Sequence, residues 1–500
     1  MELAHQTVAL SDSLRQAVSP HISQAHKSKF GQFMTPATVA TYMAGMFPES
    51  KIDACFLLDA GAGMGALTSA FLDRWAEDDA FSFGRVEANV YEIDPKLRSH
   101  LEDVLEGYRD RHEGVFNFTA LDSDFIHQAV TDGLLGLGTR FTHAILNPPY
   151  KKISSGSDHR LIMRRLGIEA VNLYSAFVSL ALELMRPEGH IVAIIPRSFC
   201  NGPYYRPFRE HIFSRSAIRQ IHLFASRTKA FKDDDVLQEN VIMHLERGGA
   251  QSEVIITTST DDSFSDVQRH VYPYERIVFP TDPEQFIHVP TSPDLGVLES
   301  SAEVRHTLND IGVTLSTGPV VDFRLKTHII PKPVSGSVPL LYASHFVGQD
   351  TNWPSEAAKR GNAIMQNDET QKWLYPNGFY AVVRRFSSKE EKRRLVAGIV
   401  KPSSFPDAES LGFENHLNVF HDKKSGLDEN LAYGLAAFIN STAADDHFRR
   451  FNGHTQVNAT DLRLMRYPSR ATLRAFGQWA RDKGELTQDM IDSQLAKLLA

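Results

Sequence analysis

The tetrapeptide Asn147-Pro148-Pro149-Tyr150 puts an amide, two consecutive prolines and a phenol ring into four positions. Ordinary residue frequencies would produce this string by chance in about a few chains per thousand of this length. Two prolines in a row fix the backbone, so the Pro148 carbonyl points outward and is not consumed by a helix. With the Asn147 side-chain oxygen it makes a pair of acceptors. Such a pair suits a planar amino group, a poor nucleophile because its lone pair is delocalised into a ring or carbonyl. Accepting both of its hydrogens moves the nitrogen towards tetrahedral geometry. Tyr150 offers a flat face on which a planar substrate stacks. The plain alternative is a proline-rich turn leaving a strand.

Upstream, three strand ends carry matched polar chemistry. Asp59-Ala60-Gly61-Ala62-Gly63-Met64-Gly65 sits between a strand and a helix, where glycines allow a tight turn and a close approach of backbone N–H groups to a ligand. Gly61, Gly63 and Ala66 also satisfy the degenerate G-x-G-x-x-G/A dinucleotide pattern. Glu92 ends the next strand and can accept hydrogen bonds from both hydroxyls of a ribose. Asp124-Phe125 follows the third strand; its carboxylate can accept from an adenine amino group while the ring covers the base. Taken singly, each is equally a tight turn, a solvated strand-end acid, or a loop acid beside a core aromatic. The three in sequence favour a nucleotide-type ligand.

The elements that must position these residues follow from periodicity. Strands are expected at Cys55–Ala60, Val86–Ile93, Val115–Leu121, Thr142–Leu146, His190–Ile195, Ile218–Phe224 and Asn240–Leu245, with helices between them. The clearest helix is Asn172–Arg186, with Leu173, Phe177, Leu180 and Leu184 on one face. Seven strands in this order predict a Rossmann-like α/β domain over 30–250, after an N-terminal helical arm at 1–29. Residues 251–310 mix Ser, Thr, Asp and Pro without periodicity and are expected to be a linker. Residues 311–500 predict a mixed α+β domain with short strands such as Pro339–Ala343 and Phe379–Arg385, few strong helices before 470, and a polar helical end.

Composition bounds the rest. Of 500 residues, 42% are hydrophobic and 23% charged, which excludes a largely disordered chain or a coiled-coil rod. Two cysteines, Cys55 and Cys200, cannot build a disulfide framework, and with no signal-like N-terminus or membrane-length apolar run the chain reads as cytoplasmic. No metal site is expected. The net charge of −8 argues against a uniformly basic nucleic-acid-coating surface but leaves room for local basic clusters.

Together these residues resemble the gamma-class DNA adenine-N6 methyltransferases of type II restriction–modification systems, over residues 26–247. The resemblance runs in order: Gly31–Pro36, in which Thr35 would contact the methionine part of S-adenosylmethionine; Asp59, Gly61 and Gly63 as the cofactor loop; Glu92 as the ribose acid; Asp124-Phe125 as the adenine pair; and Asn147–Tyr150 as the catalytic tetrapeptide. Phe231 resembles the second aromatic that sandwiches a flipped base, with Phe224 as its rival. The C-terminal half resembles the target-recognition domain of those enzymes through Ser316–Pro319, Asp322–Arg324, Phe379–Arg385, Glu414–Asn418 and Asn452–Asn458. Arg384, Arg385, Lys389, Lys392, Arg393 and Arg394 form one basic cluster and Arg449-Arg450 another, suited to phosphates, while Gln456 and Asn458 suit base edges. A solvated charged face is the alternative for any single arginine.

The resemblance implies a monomer acting on double-stranded DNA, with a separately acting cognate restriction endonuclease as candidate partner. Two rival functions stand beside it: a protein-glutamine or RNA amino-group methyltransferase using the same tetrapeptide, and a non-catalytic DNA-specificity subunit.

Overall fold

A computed structural model describes residues 12–13, 34–136, 140–224, 239–280, 282–289, 298, 301–355, 361–387, 391–451 and 456–499. It divides into two compact units, 1–293 and 294–500. Most of the expected N-terminal arm lies outside the described residues.

The first unit alternates helices and strands: α1 Ala37–Gly45, β1 Ala54–Ala60, α2 Ala66–Glu77, β2 Arg85–Tyr91, α3 Pro95–Arg111, β3 Phe116–Leu121, α4 Phe125–Leu134, β4 Phe141–Leu146, α5 Asp158–Met163, α6 Leu173–Leu184, β5 Met185–Pro196, α7 Arg206–Arg215, β6 Ser216–Phe224, β7 Asn240–Arg247, β8 Glu253–Ser259, β9 Gln268–Pro273 and α8 Tyr274–Ile277. Among the described residues the strands form one sheet in the order β3-β2-β1-β4-β5-β7-β6-β8-β9. The strands from β3 through β5 run parallel, and β7 enters antiparallel between β5 and β6. Side chains of the central strands alternate between two apolar layers. Leu58, Leu146, Ile191 and Ile195 face one layer, while Leu57, Ile145, Val192 and Ile194 face the other. Helices cover both faces, as a parallel sheet requires. The order reverses between β1 and β4. In such sheets that switch point, at the carboxyl ends of the strands, is where ligands bind.

The seven expected strands are all present, and two more continue the sheet. Residues 253–273, expected within a linker, form β8 and β9. Their Ser/Thr-rich sequence looks loop-like, yet the buried hydroxyls are paired. Thr257 Oγ1 meets His222 Nδ1 at 3.0 Å and accepts from Tyr42 Oη at 2.9 Å, and Ser259 Oγ meets His222 Nε2 at 3.1 Å. Satisfied polar groups can be buried, and composition alone does not reveal the pairing.

The second unit contains short strands β10 Thr314–Thr317, β11 Ile329–Ile330, β12 Ser337–Leu341, β13 Phe346–Val347, β14 Asp350–Thr351, β15 Ala363–Met365, β16 Leu374–Pro376, β17 Tyr380–Arg384, β18 Ala397–Val400, β19 Ser410–Phe413 and β20 Leu417–His421. Helices follow: α9 Glu429–Ile439, α10 Thr442–Phe451, α11 Ala459–Leu464, α12 Arg470–Lys483 and α13 Gln488–Leu499. Two sheets dominate, β10-β20-β17-β18 and β11-β15-β12-β19-β16. The unit is the expected mixture of helix and strand, but helix begins near 429 and not near 470. Gly434 and Gly477 let α9 and α12 pack backbone to backbone, since a Cβ on Gly434 would lie 1.8 Å from the Leu473 carbonyl oxygen. No helix among the described residues is long and apolar enough to cross a membrane.

Candidate active site

The glycine loop links β1 to α2. Gly61, Gly63 and Gly65 all have positive φ, the left-handed conformation that side chains disfavour. The N–H groups of Gly61 and Ala62 both donate to the Tyr91 carbonyl at 2.9 Å, which anchors the loop to the end of β2. Those two donors are therefore spent on the fold and not aimed at a ligand. Among the described residues a Cβ on Gly63 would meet nothing within 4 Å, so the loop is open there.

Glu92 braces that opening. Its Oε2 accepts from Gly63 N at 2.9 Å and its Oε1 from Asp94 N at 2.7 Å. Each carboxylate oxygen retains a second lone pair. Burial pushes the Glu92 carboxyl up to about 6, against the lowering effect of those two amides. Asp59 is wholly buried beneath the loop; its Oδ2 accepts from Thr68 Oγ1 at 2.7 Å, while its Oδ1 has no hydrogen-bond partner among the described residues. Burial, with nearby Glu92 adding to it, raises the Asp59 carboxyl to about 7. An unmatched buried carboxylate oxygen costs free energy, which a donor from a ligand would recover.

Asp124 caps α4 by accepting from His127 N at 3.1 Å, and its Oδ2 lies 2.9 Å from His159 Nε2. Burial alone would raise this carboxyl, but the His159 bond and the His127 amide hold it below the usual range. Phe125 is buried, packed edge-on against Tyr91 and tilted against Phe177, with centroids 5.1 and 5.0 Å away. It is first a core aromatic; only Asp124 of the pair is half open.

The tetrapeptide leaves β4 beside the glycine loop. A Cβ on Gly61 would stand 3.8 Å from the Asn147 carbonyl and 3.9 Å from Pro149. Asn147 Nδ2 donates to Thr35 Oγ1 at 2.9 Å. Tyr150 Oη lies 3.2 Å from both Asn147 Oδ1 and the Ile194 carbonyl. Burial drives the phenol far above its usual range, so it stays neutral. The chain beyond it is pinned: Leu173 N donates to Lys151 O at 2.8 Å and Ile153 N to Val171 O at 2.9 Å. Asn172 caps α6 through Ser175 N and donates from Nδ2 to Tyr205 Oη at 2.9 Å.

The Thr35–Asn147 contact went unseen in the sequence reading, which gave Thr35 a ligand role only. His159 was also missed, because nothing near position 159 marks it as a neighbour of Asp124. Phe231 lies outside the described residues. Its rival Phe224 is buried, edge-on against His222 at 4.7 Å.

In the second unit, segments far apart in sequence converge on 414–418. Gly318 N donates to Leu417 O at 2.8 Å, and a Cβ on Gly318 would lie 2.2 Å from Glu414 O, so only glycine fits that approach. Arg385 N donates to His416 O at 2.9 Å, and its guanidinium reaches Asn415 O and Gln456 Oε1, each at 3.2 Å. Val457 N donates to Arg385 O and Asn418 Nδ2 to Val457 O, both at 2.7 Å. Phe386, 44% exposed, lies tilted at 57° to His416 with centroids 4.7 Å apart, and Phe323 is 62% exposed.

The basic clusters prove less available than expected. Arg394 is 1% exposed and donates from Nε to Ser387 Oγ at 3.0 Å, so it cannot reach a phosphate without leaving the core. Arg393 donates to the Ser441 carbonyl at 2.9 Å and to Gln488 Oε1. Arg384 pairs with Glu391; Arg449, ahead of Arg450 on α10, pairs with Asp445 at 2.7 Å. Asn458 is held by the Asp461 carboxylate at 3.2 Å where α11 begins. Lys389 and residues 452–455 lie outside the described residues. A run of arginines in sequence could not disclose these internal partners, among them Ser441, Asp445 and Gln488.

The sequence profile of the Eco57I restriction-modification methylase family matches residues 85–231. The chain is 50% identical over 495 residues to the type II methyltransferase M.BsuBI of Bacillus subtilis, spanning 98% of this chain and 97% of that protein. It is 40% identical over 490 residues to the type II methyltransferase M.PstI of Providencia stuartii, spanning 97% and 95%. Among solved structures, the type IIL restriction-modification enzyme MmeI, determined with DNA, aligns over 98% of this chain and 73% of its own with a TM-score of 0.51. Identity there is 10%, so the likeness is one of fold.

Proposed function

The chain belongs to the type II methyltransferases of restriction–modification systems, and from that premise we propose that it methylates N6 of an adenine in double-stranded DNA, using S-adenosylmethionine. Whole-length membership favours this over the protein-glutamine and RNA readings. The intact Asn147–Tyr150 segment favours it over a non-catalytic specificity subunit. The single observation that carries the reading is the juxtaposition of that segment with the glycine loop at Gly61.

The donor set fits the cofactor on three counts: free space at Gly63, a ribose-competent carboxylate at Glu92, and an unmatched buried oxygen on Asp59. When bound, the cofactor supplies a methyl group on a sulfonium. Glu92 would accept from the ribose hydroxyls and Asp124 from the adenine amine, with Asp59 supporting the loop from beneath. The target adenine N6 is out of reach within a duplex, so the base is flipped out and read by stacking. Tyr150 provides one face, and Phe231 is the proposed second.

At the accepting nitrogen, Asn147 Oδ1 and the Pro148 carbonyl take the two amine hydrogens. Their pull raises the lone pair's availability and stabilises the positive charge that develops as nitrogen gains its fourth bond and the methyl–sulfur bond breaks; one of those two hydrogens then leaves as a proton to solvent, giving the neutral methylated amine. Thr35 holds the Asn147 amide with Oδ1 as the acceptor. Tyr150 Oη, now close to Asn147 Oδ1, would yield that position to the incoming amine while keeping the Ile194 carbonyl as its acceptor.

In the second unit, the patch around Arg385, Gln456 and His416 is the proposed DNA-reading surface. Incubating duplex DNA with labelled S-adenosylmethionine and mapping N6-methyladenine tests the whole reading. Modified adenines confined to one short sequence are the expected result; label on another base or on protein would overturn it.

A further inference from the structure

Two histidine–carboxylate pairs face one another where α4 and α5 begin. His159 Nε2 lies 2.9 Å from Asp124 Oδ2, and His127 Nε2 lies 3.1 Å from Asp158 Oδ2. The imidazole rings stand 5.4 Å apart at 64°. One donor atom from each of Asp124, His127 and His159 lies within 4.8 Å of the other two. His127 is exposed and the other two are half-buried, so an ion can enter from solvent.

We propose that Asp124, His127 and His159 form a binding site for one divalent transition-metal ion of the Zn²⁺, Co²⁺ or Ni²⁺ kind, with Asp158 as fourth donor. Two imidazole nitrogens with carboxylate oxygens and no thiolate select borderline ions over Cu(I), and over the all-oxygen preference of Ca²⁺ and Mg²⁺. Metal–donor bonds of about 2.0–2.2 Å bring tetrahedral donors to roughly 3.3–3.5 Å from one another. Donor atoms of Asp124, His127 and His159 within 4.8 Å of one another need at most about 1.5 Å of closure, within the reach of side-chain rotation. Asp124 is already oriented for this, because its Oδ1 is held by the His127 amide and its Oδ2 is turned to His159. Such outer support is what fixes a ligating carboxylate. The ion would tie α4 to α5, two helices whose ligands are too far apart in sequence to announce a site.

A consequence rests on the function proposed above. If Asp124 contacts the cofactor's adenine, an ion that takes Asp124 Oδ2 opposes cofactor binding, and by linkage the cofactor opposes the ion.

The test uses the full chain, stripped with a chelator and titrated with Co²⁺ while its visible ligand-field absorption is followed. The expected result is a band that saturates at one ion and is displaced by Zn²⁺. In His127→Ala/His159→Ala the affinity should fall at least about tenfold. A titration identical in the two proteins would mean an adventitious ion only, on other histidines, and the absence of any band would mean no ion of this kind at all; either overturns the site. If the double variant does not fold, His127→Gln at an exposed position replaces it, with the same two outcomes. Calorimetry of S-adenosylmethionine with and without saturating Zn²⁺ addresses the antagonism separately. Weaker cofactor binding in wild type alone supports it. Unchanged affinity overturns the antagonism and Asp124's cofactor role together, while the metal site stands or falls on the Co²⁺ titration.

Discussion

The two units use their polar side chains in opposite ways. Around the glycine loop, groups are held in place but left wanting: Asp59 Oδ1 is unmatched, Glu92 is buried with lone pairs to spare, and Gly63 faces open space. Around 414–418, side chains are spent on the protein itself. Asn418 Nδ2 is bonded to a carbonyl and Arg394 lies in the core, while Arg385 commits only two of its five N–H donors among the described residues. A site that holds a small ligand carries its unsatisfied groups on the ends of a rigid sheet. A surface assembled from short strands and loops must first fasten those loops together. The same residue type thus means different things in the two units.

The sharpest way to break this comparison is Asn147→Ala. If the first unit's site works as described, methyl transfer should fall by about 10²–10³-fold or more, with S-adenosylmethionine affinity unchanged within a few-fold. Near-normal single-turnover rates would remove Asn147 from the chemistry.

Glu92→Gln comes next. Losing a charge-assisted acceptor costs about 1.5–3 kcal/mol, or roughly 10- to 100-fold in cofactor affinity by calorimetry. The same residue gives a pH signature. Because its carboxyl is raised to about 6 by burial, the ionised form that accepts from hydroxyls is lost as pH falls through 6. Affinity should therefore decline below that point, well above the usual carboxylate range, and the decline should vanish in the Gln variant.

The second unit is probed by two arginines that look alike in sequence. Arg385→Ala should weaken specific DNA binding by about 1–3 kcal/mol in an electrophoretic or fluorescence assay while sparing cofactor affinity. Arg394→Ala should instead lower thermal stability by about 2–3 kcal/mol and leave DNA affinity of the folded protein unchanged. Equal effects of the two on DNA would erase the distinction between reading and fastening.

The smallest effect is expected at Thr35→Val. Removing one hydroxyl that orients Asn147 forfeits a net ~0.5–1.5 kcal/mol, a loss of about 2- to 10-fold in kcat. A change confined to cofactor affinity would return Thr35 to the ligand role that its sequence context suggested.

Much of the first unit was legible from the chain alone, for a physical reason. Periodicity fixes which residues face a sheet's two layers, and the residues that meet a ligand in a doubly wound sheet sit at consecutive strand ends. Asp59, Glu92, Asp124 and Asn147 therefore appear in sequence order, each just after an apolar run. What depends on partners across the fold was not legible. The Ser/Thr-rich stretch at 253–259 became a strand because His222 and Tyr42 satisfy its buried hydroxyls. Thr35 found Asn147, His159 found Asp124, and Arg393 found the Ser441 carbonyl and the Gln488 side-chain oxygen, 48 and 95 residues away in sequence. Local patterning determines which elements form and which residues stand at their ends. Whether a polar side chain there is spent or available is decided by packing, because hydrogen-bond satisfaction belongs to the pair and only the tertiary structure chooses the partner.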